Sequence, residues 1–235
     1  LSDRLQKYLY SSDHQLGFKQ KSSCAHAIYV VRKTVEYYVS NDSTVNICTL
    51  DISKAFDKLN NHCLLLKLMK RRLPVNLVVL FQRWLCNVFI KVRWGSCLSK
   101  LFRLFSGVRQ GGILSPVFFC IYIDDLINKI SHLDMGCFIR GFFSGIWLYA
   151  DDIVLLSATV SGLQHMINAC VQELDYLDLS VNILKSRCMR VGRRFKSIGT
   201  RVVINGSPVD WCDELGYLGM IFKSSTVFMC NVHEN

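Results

Sequence analysis

An α+β fold, an antiparallel sheet with helices on one face, is predicted by three features of this 235-residue sequence. Residues 45–51 are rich in β-branched side chains and close on an acid, the pattern of a buried strand. Residues 146–149 and 153–157 are two further apolar runs flanking Asp151-Asp152, which reads as a hairpin with its acids at the turn. Helical signals over 115–130 and 161–179 then give the order strand, helix, hairpin, helix, strand.

The remaining elements follow along the chain. Apolar and basic residues over 62–72 predict a helix ended by Pro74, and 75–86 a second. Residues 89–94 and 100–105 read as paired strands around Gly95-Ser96. Ser115-Pro116 starts the next helix, with Ser as N-cap and Pro at the first helical position. Leu163, Met166, Ile167, Cys170, Leu174 and Leu177 recur at helical spacing. Short strands are expected near 188–191, 201–204 and 217–222. No internal repeat, low-complexity segment or linker is visible.

Composition excludes several classes. With 51% hydrophobic residues and three prolines the chain is globular rather than disordered. No apolar run approaches the roughly 18–20 residues of a membrane span, so no membrane partner is expected. The chain starts at Leu1 without a signal-peptide layout, and is expected to be a fragment or an incomplete translation. Net charge is +10, and residues 51–100 hold ten Lys/Arg against Asp51 and Asp57. A second basic stretch runs from Lys185 to Arg201. Such concentrations suit a polyanion, and nucleic acid is the expected one. Eleven cysteines occur without any C-x-x-C spacing, which predicts neither a zinc ribbon nor a disulfide framework. Cys24 with His26, and His62 with Cys63, lack partner pairs at ligand spacing and are read as structural.

Two adjacent carboxylates in an apolar run repel each other and lose hydration, so a cation is expected to compensate them. Asp51, ending the 45–51 strand, is the candidate third acid; if the strands are neighbours, Asp51, Asp151 and Asp152 converge. Three hard oxygen donors with open positions suit Mg²⁺, and two such ions about 4 Å apart serve in-line phosphoryl displacement. A solvent-exposed Asp-Asp turn is the alternative.

Asp51-Ile-Ser-Lys-Ala-Phe-Asp57, Gly107-Val-Arg-Gln-Gly-Gly-Ile-Leu-Ser-Pro116 and Tyr149-Ala-Asp-Asp152 resemble consecutive palm motifs of a reverse transcriptase. Asn182-Ile-Leu-Lys-Ser186 and Leu215-Gly-Tyr-Leu-Gly219 resemble the next two. These spellings, with His14-Gln-Leu-Gly-Phe18 upstream, are similar to those of non-LTR (LINE-type) retrotransposon polymerases, over roughly residues 14–222. Five motifs in the right order are far more specific than any one of them.

The resemblance implies an RNA-directed DNA polymerase that transfers deoxynucleotides (dNTPs) to a DNA primer on an RNA template, using two Mg²⁺ ions with Mn²⁺ as a possible substitute. Asp51, Asp151 and Asp152 match the metal-binding carboxylates. Tyr149 would position the primer end, and Phe56 would exclude a 2′-hydroxyl by steric overlap. Gln110, Gly111 and Gly112 match the loop beside the incoming nucleotide, with Arg109 as a phosphate or template contact. Lys185 matches a lysine proposed to protonate pyrophosphate; the alternative is a surface lysine on a basic strand. Lys19 and Lys21 are weaker candidates for the triphosphate, and Asp124 and Asp125 are expected to be solvated or capping rather than metal ligands.

The implied organisation is a polymerase palm over 45–222 with a fingers segment inserted at about 60–108. Residues 1–44 are then partial fingers, and 223–235 a truncated start of the thumb or a non-native tail, leaving the thumb largely absent. Asn60-Asn61-His62 carries one residue more than the usual pattern. Family resemblance implies an intracellular location, nucleus or cytoplasm or both. Competing readings are a catalytically silent retroelement remnant that only binds nucleic acid, and another palm-type nucleotidyl enzyme.

Overall fold

The computed structural model describes residues 5, 7–196 and 200–232. Helix α1 (Cys24–Ser40) precedes strand β1 (Thr44–Ile52), the one-turn helix α2 (Ala55–Lys58), and helices α3 (Asn61–Lys70) and α4 (Val75–Cys86). Four two-residue strands follow, β2 (Phe89–Ile90), β3 (Arg93–Trp94), β4 (Cys97–Leu98) and β5 (Phe102–Arg103), then helix α5 (Ser115–Ser131). The strands β6 (Phe138–Ile139), β7 (Phe142–Phe143), β8 (Ile146–Tyr149) and β9 (Asp152–Ser157) lead to helix α6 (Val160–Tyr176). The chain continues through β10 (Val181–Gly192), β11 (Val202–Ile204) and β12 (Ser207–Val209). It ends in β13 (Glu214–Tyr217), β14 (Met220–Lys223) and β15 (Met229–Val232).

The central sheet is antiparallel with strand order β10-β1-β9-β8. Residues of β1 alternate between two cores. Cys48, Leu50 and Ile52 face α5 and α6, packing among Phe118, Phe119, Met166 and Cys170. Val45 and Ile47 face α1 and the β13–β14 hairpin, with Val31, Val35, Leu215 and Phe222. The α+β expectation therefore gains a refinement: α5 and α6 cover one face as expected, and α1 covers the other. The physical reason is legible in β1 and β9, whose near-continuous apolar runs need cover on both faces.

Local chemistry sets several boundaries. Asn60 caps α3, its side chain accepting the N–H groups of His62 and Cys63. The additional Asn61 becomes the first helical residue and is buried, donating to the carbonyl of Leu85. Thr159 caps α6 by accepting from the Gly162 N–H. Ser115 is not the cap of α5: Leu114 holds that position, and the Ser115 hydroxyl instead donates to the Arg109 carbonyl at 2.6 Å. Residues 217–222 are a hairpin rather than one strand, because Leu218 and Gly219 both adopt positive φ between β13 and β14. The strand expected near 188–191 is the C-terminal part of the longer β10.

Among the described residues no helix is long and apolar enough to cross a membrane. All eleven cysteines are free, and burial pushes the Cys120 thiol up to about 12.

Candidate active site

The register of the central sheet brings the three acids together. Leu50 on β1 pairs with Ile153 on β9, so the next positions along the two strands are Asp51 and Asp152. Adjacent antiparallel strands hold such positions about 5 Å apart at the backbone. Tyr149 pairs with Asp152 across the β8–β9 hairpin, which leaves Ala150 and Asp151 as its two turn residues. Asp51 and Asp151 line one cleft of about 420 Å³ with Phe56, Asp57, Gln110, Asn182 and Lys185. Asp51, Asp152 and Lys185 line an adjoining one of about 240 Å³, closed by Gly216, Tyr217 and Leu218.

Lys185 arrives there through a bulge. On β10, Arg187 pairs with Thr49 and Asn182 with Asp51, so four residues of β10 oppose Leu50 alone. Bulges re-aim side chains beside active sites. The excess is held by Ser186, wholly buried, whose hydroxyl accepts the Asp51 N–H at 3.3 Å and donates to the Asn182 carbonyl at 2.8 Å. Ser186 and Asn182 carried no assigned role in the sequence reading. Their signal was present, since both lie within the Asn182-Ile-Leu-Lys-Ser186 motif.

The loop over 107–112 is docked on the segment after β1. The Gly107 N–H bonds the Leu59 carbonyl at 2.7 Å, and the Val108 N–H bonds the Phe56 carbonyl at 2.9 Å. Gly107 sits at φ +85, where an added Cβ would lie 2.7 Å from the Asp57 carbonyl oxygen. The Gln110 amide reaches the Asp57 carboxylate at 3.4 Å, which brings it to the cleft. Phe56 stacks at a tilt on Phe119, ring centroids 4.7 Å apart, with its exposed side towards the same cleft.

Electrostatics single out the two hairpin acids. Burial raises the Asp152 carboxyl to about 6, assisted by the charges of Asp151 and Asp51. Burial also raises Asp151, Asp51 adding to the effect while the backbone N–H of Asp151 opposes it. Among the described residues no three His, Cys, Asp or Glu side chains are gathered closely enough to enclose an ion by themselves.

Other expected residues lie elsewhere. Arg109 is exposed and lines a separate cavity of about 250 Å³ with Trp84, Phe89 and Gly107. Gly111 adopts φ +77 with no neighbour within 4 Å of an added Cβ. Tyr149 is half-buried, and the Cys24 thiol bonded to its hydroxyl is the chief cause of its raised phenol. Lys19 bonds the Ser12 carbonyl and Asp13, and with Lys21 lines another cavity, about 580 Å³, which holds none of the three acids. Asp124 is buried rather than solvated, pairing with Arg71 at 2.8 Å and accepting the Ser12 N–H; Asp125 pairs with Lys67.

A family model described as reverse transcriptase (RNA-dependent DNA polymerase) matches residues 1–222. The chain belongs to the reverse transcriptase family. Its relatives include the Pol polyprotein of the type-2 retrotransposable element R2DM of Drosophila melanogaster, 25% identical over all of this chain. The RNA-directed DNA polymerase of the mobile element jockey of Drosophila funebris is 25% identical over 91% of the chain. Both are non-LTR elements, and the chain spans 23% of the length of each. Among solved structures, apo telomerase of Candida tropicalis superposes with a TM-score of 0.67 at 13% identity, covering 98% of this chain and 40% of that one. This shared architecture is an α+β polymerase palm. Reverse transcriptases generally use divalent metal ions.

Proposed function

We propose that this chain is the catalytic core of an RNA-directed DNA polymerase, extending a DNA primer with dNTPs on an RNA template. The observation that carries the reading is the meeting of Asp51 and Asp152 across β1 and β9, with Asp151 at the adjoining turn. Residues 45–222 would form the palm, 60–108 its inserted fingers segment, and 1–44 part of the fingers.

Asp51, Asp151 and Asp152 fit Mg²⁺: all donors are hard oxygens, burial holds Asp151 and Asp152 back from ionising, and the acids line two adjoining clefts. When bound, two such ions supply activation of the primer 3′-hydroxyl and stabilisation of the leaving oxygen, and Mn²⁺ would substitute. The chain's own side chains do the rest. Phe56, supported by Phe119, would bar a 2′-hydroxyl. Gln110, tethered to Asp57, would orient the nucleotide, and Lys185 would hand a proton to pyrophosphate. Arg109 would touch template or phosphate from the neighbouring cavity. Residues 58–123 contain no acid, and exposed Trp94, Phe105 and Phe89 alternate with Lys91, Arg93 and Arg103. That composition suits stacking on bases and pairing with phosphates.

The test is Mg²⁺-dependent extension of a DNA primer on an RNA template by the 235-residue chain. Phe56→Ala is expected to reduce preference for dNTPs over NTPs by about 10-fold or more while leaving extension intact, since only a steric barrier is removed. Unchanged preference would remove Phe56 from the nucleotide site. Salt-sensitive RNA binding without any extension would assign the chain to a binding-only remnant.

A pH dependence follows from Asp152. Its carboxyl is raised to about 6, so the folded state holds the proton more tightly than the unfolded chain. The stability this group contributes is complete below its unfolded value near 4 and is lost as pH rises through about 6. A divalent ion competes with that proton, so added Mg²⁺ is expected to raise the thermal midpoint more at pH 7.5 than at pH 5. An equal rise at both pH values would contradict a metal role for Asp152.

A further inference from the structure

The turn that carries Asp151 is held by a residue from far upstream. Ala150 adopts φ 57, a left-handed conformation that a non-glycine residue keeps only when its surroundings enforce it. The enforcing group is the side chain of Gln15, which is wholly buried. Its Oε1 accepts the Ala150 N–H at 3.0 Å, and its Nε2 donates to the Ala150 carbonyl at 3.3 Å. One amide thus satisfies both polar groups of the strained residue, and no other orientation of the amide meets both. The same Oε1 also accepts the Gly17 N–H at 2.9 Å, which fixes the Gln15 side chain against its own backbone.

The segment bearing Gln15 is itself joined to β8 by one parallel bridge, Gln15 opposite Leu148. Leu148 donates to the His14 carbonyl at 2.9 Å, and Leu16 donates to the Leu148 carbonyl at 2.8 Å. The His14 ring packs between Phe142 and Trp147, with its Nε2 at 2.9 Å from the Phe143 carbonyl. Gly17 passes so close that an added Cβ would lie 2.3 Å from the Ala150 nitrogen. Gln15 and Gly17 thus both meet the backbone of Ala150, the residue preceding Asp151.

We propose that Gln15 is a positioning residue: its amide clamps the Ala150 peptide groups and so aims the Asp151 carboxylate into the cation site. The proposal rests on the reading of Asp151 as a metal ligand. Groups that orient metal ligands affect affinity by about 10–100-fold when removed, although they never touch the ion.

The test uses Mn²⁺ as probe on the 235-residue chain, with binding followed by loss of the free-ion EPR signal and local order by amide exchange. Gln15→Met keeps the shape and burial of the side chain and removes its hydrogen bonds to Ala150 and Gly17; Gln15→Asn, one methylene shorter, is the second variant. Each is expected to bind Mn²⁺ about 10-fold or more weakly and to expose the Ala150 amide to exchange. Amides of Ile47 and Cys48 in β1 should stay protected, which separates a local effect from unfolding. Adding Ala150→Gly to Gln15→Met should restore most of the Mn²⁺ affinity, because glycine holds a positive φ unaided. A merely structural glutamine would give no such rescue. Faster exchange at Ala150 with Mn²⁺ affinity unchanged would overturn the proposal, as would failure of the glycine rescue. Asp151→Asn distinguishes the underlying reading: equal Mn²⁺ binding by that variant would refute the ligand role of Asp151, whatever Gln15 does.

Discussion

Asp151→Asn is expected to lower Mg²⁺-dependent primer extension by at least about 10³-fold, equivalent to some 4 kcal/mol of transition-state stabilisation. Asparagine keeps the size of the side chain and its place at the turn between β8 and β9. What it loses is one of the negative charges of the cleft proposed to hold the cations. An amide oxygen is a far poorer ligand for Mg²⁺ than a carboxylate, and the reaction depends on charge stabilisation more than on any covalent step. Folding should not suffer, because burial and Asp51 disfavour the ionised form of Asp151 in the protein without metal. Primer extension and a thermal melt, run side by side, check both halves. Extension within a few-fold of the unaltered chain would dismantle the proposed chemistry.

Gly107→Ala is expected to destabilise the fold and weaken dNTP use together. The new Cβ would meet three backbone atoms, the Asp57 and Phe56 carbonyl oxygens at 2.7 and 2.9 Å and the Asp57 carbonyl carbon at 3.0 Å. Backbone cannot rotate aside as a side chain can. Alanine at φ +85 adds about 1–2 kcal/mol of strain. Separation of the loop from the 56–59 segment would also forfeit the Gly107–Leu59 and Val108–Phe56 hydrogen bonds, about 1 kcal/mol each. The total, about 3–4 kcal/mol, corresponds to a fall in thermal midpoint of roughly 6–16 °C for a chain of this size. Because Gln110 is held only three residues further on, the KM for dNTP should rise in the folded fraction. A melt within about 2 °C of the unaltered chain would show that this close approach does not matter.

Much of the site could be read without coordinates. Two adjacent aspartates in an apolar run are conspicuous because burial makes them costly, and the order of the five motifs identified the family. Asp51, Asp151, Phe56, Gln110 and Lys185 line one cleft, and Asp152 lines the adjoining one with Asp51 and Lys185. Arg109 and Lys19 stand apart from that cleft, since loop direction decides where a long basic side chain reaches and no periodicity encodes it. The roles of Ser186 and Gln15 are hidden for a different reason. Each acts through backbone groups distant in sequence, 135 positions away in both cases, so a place in a motif marks the residue without disclosing its partner.

The sequence by itself determined the strand–helix–hairpin order, the family and the acidic residues, because apolar periodicity and costly charges are local and survive in one dimension. Only the tertiary structure decided that Leu50 pairs with Ile153, that β10 bulges to present Lys185, and that α1 closes the second face of the sheet. Register, bulges and long-range hydrogen bonds depend on which distant backbone groups become neighbours, and that is settled by packing the whole core at once.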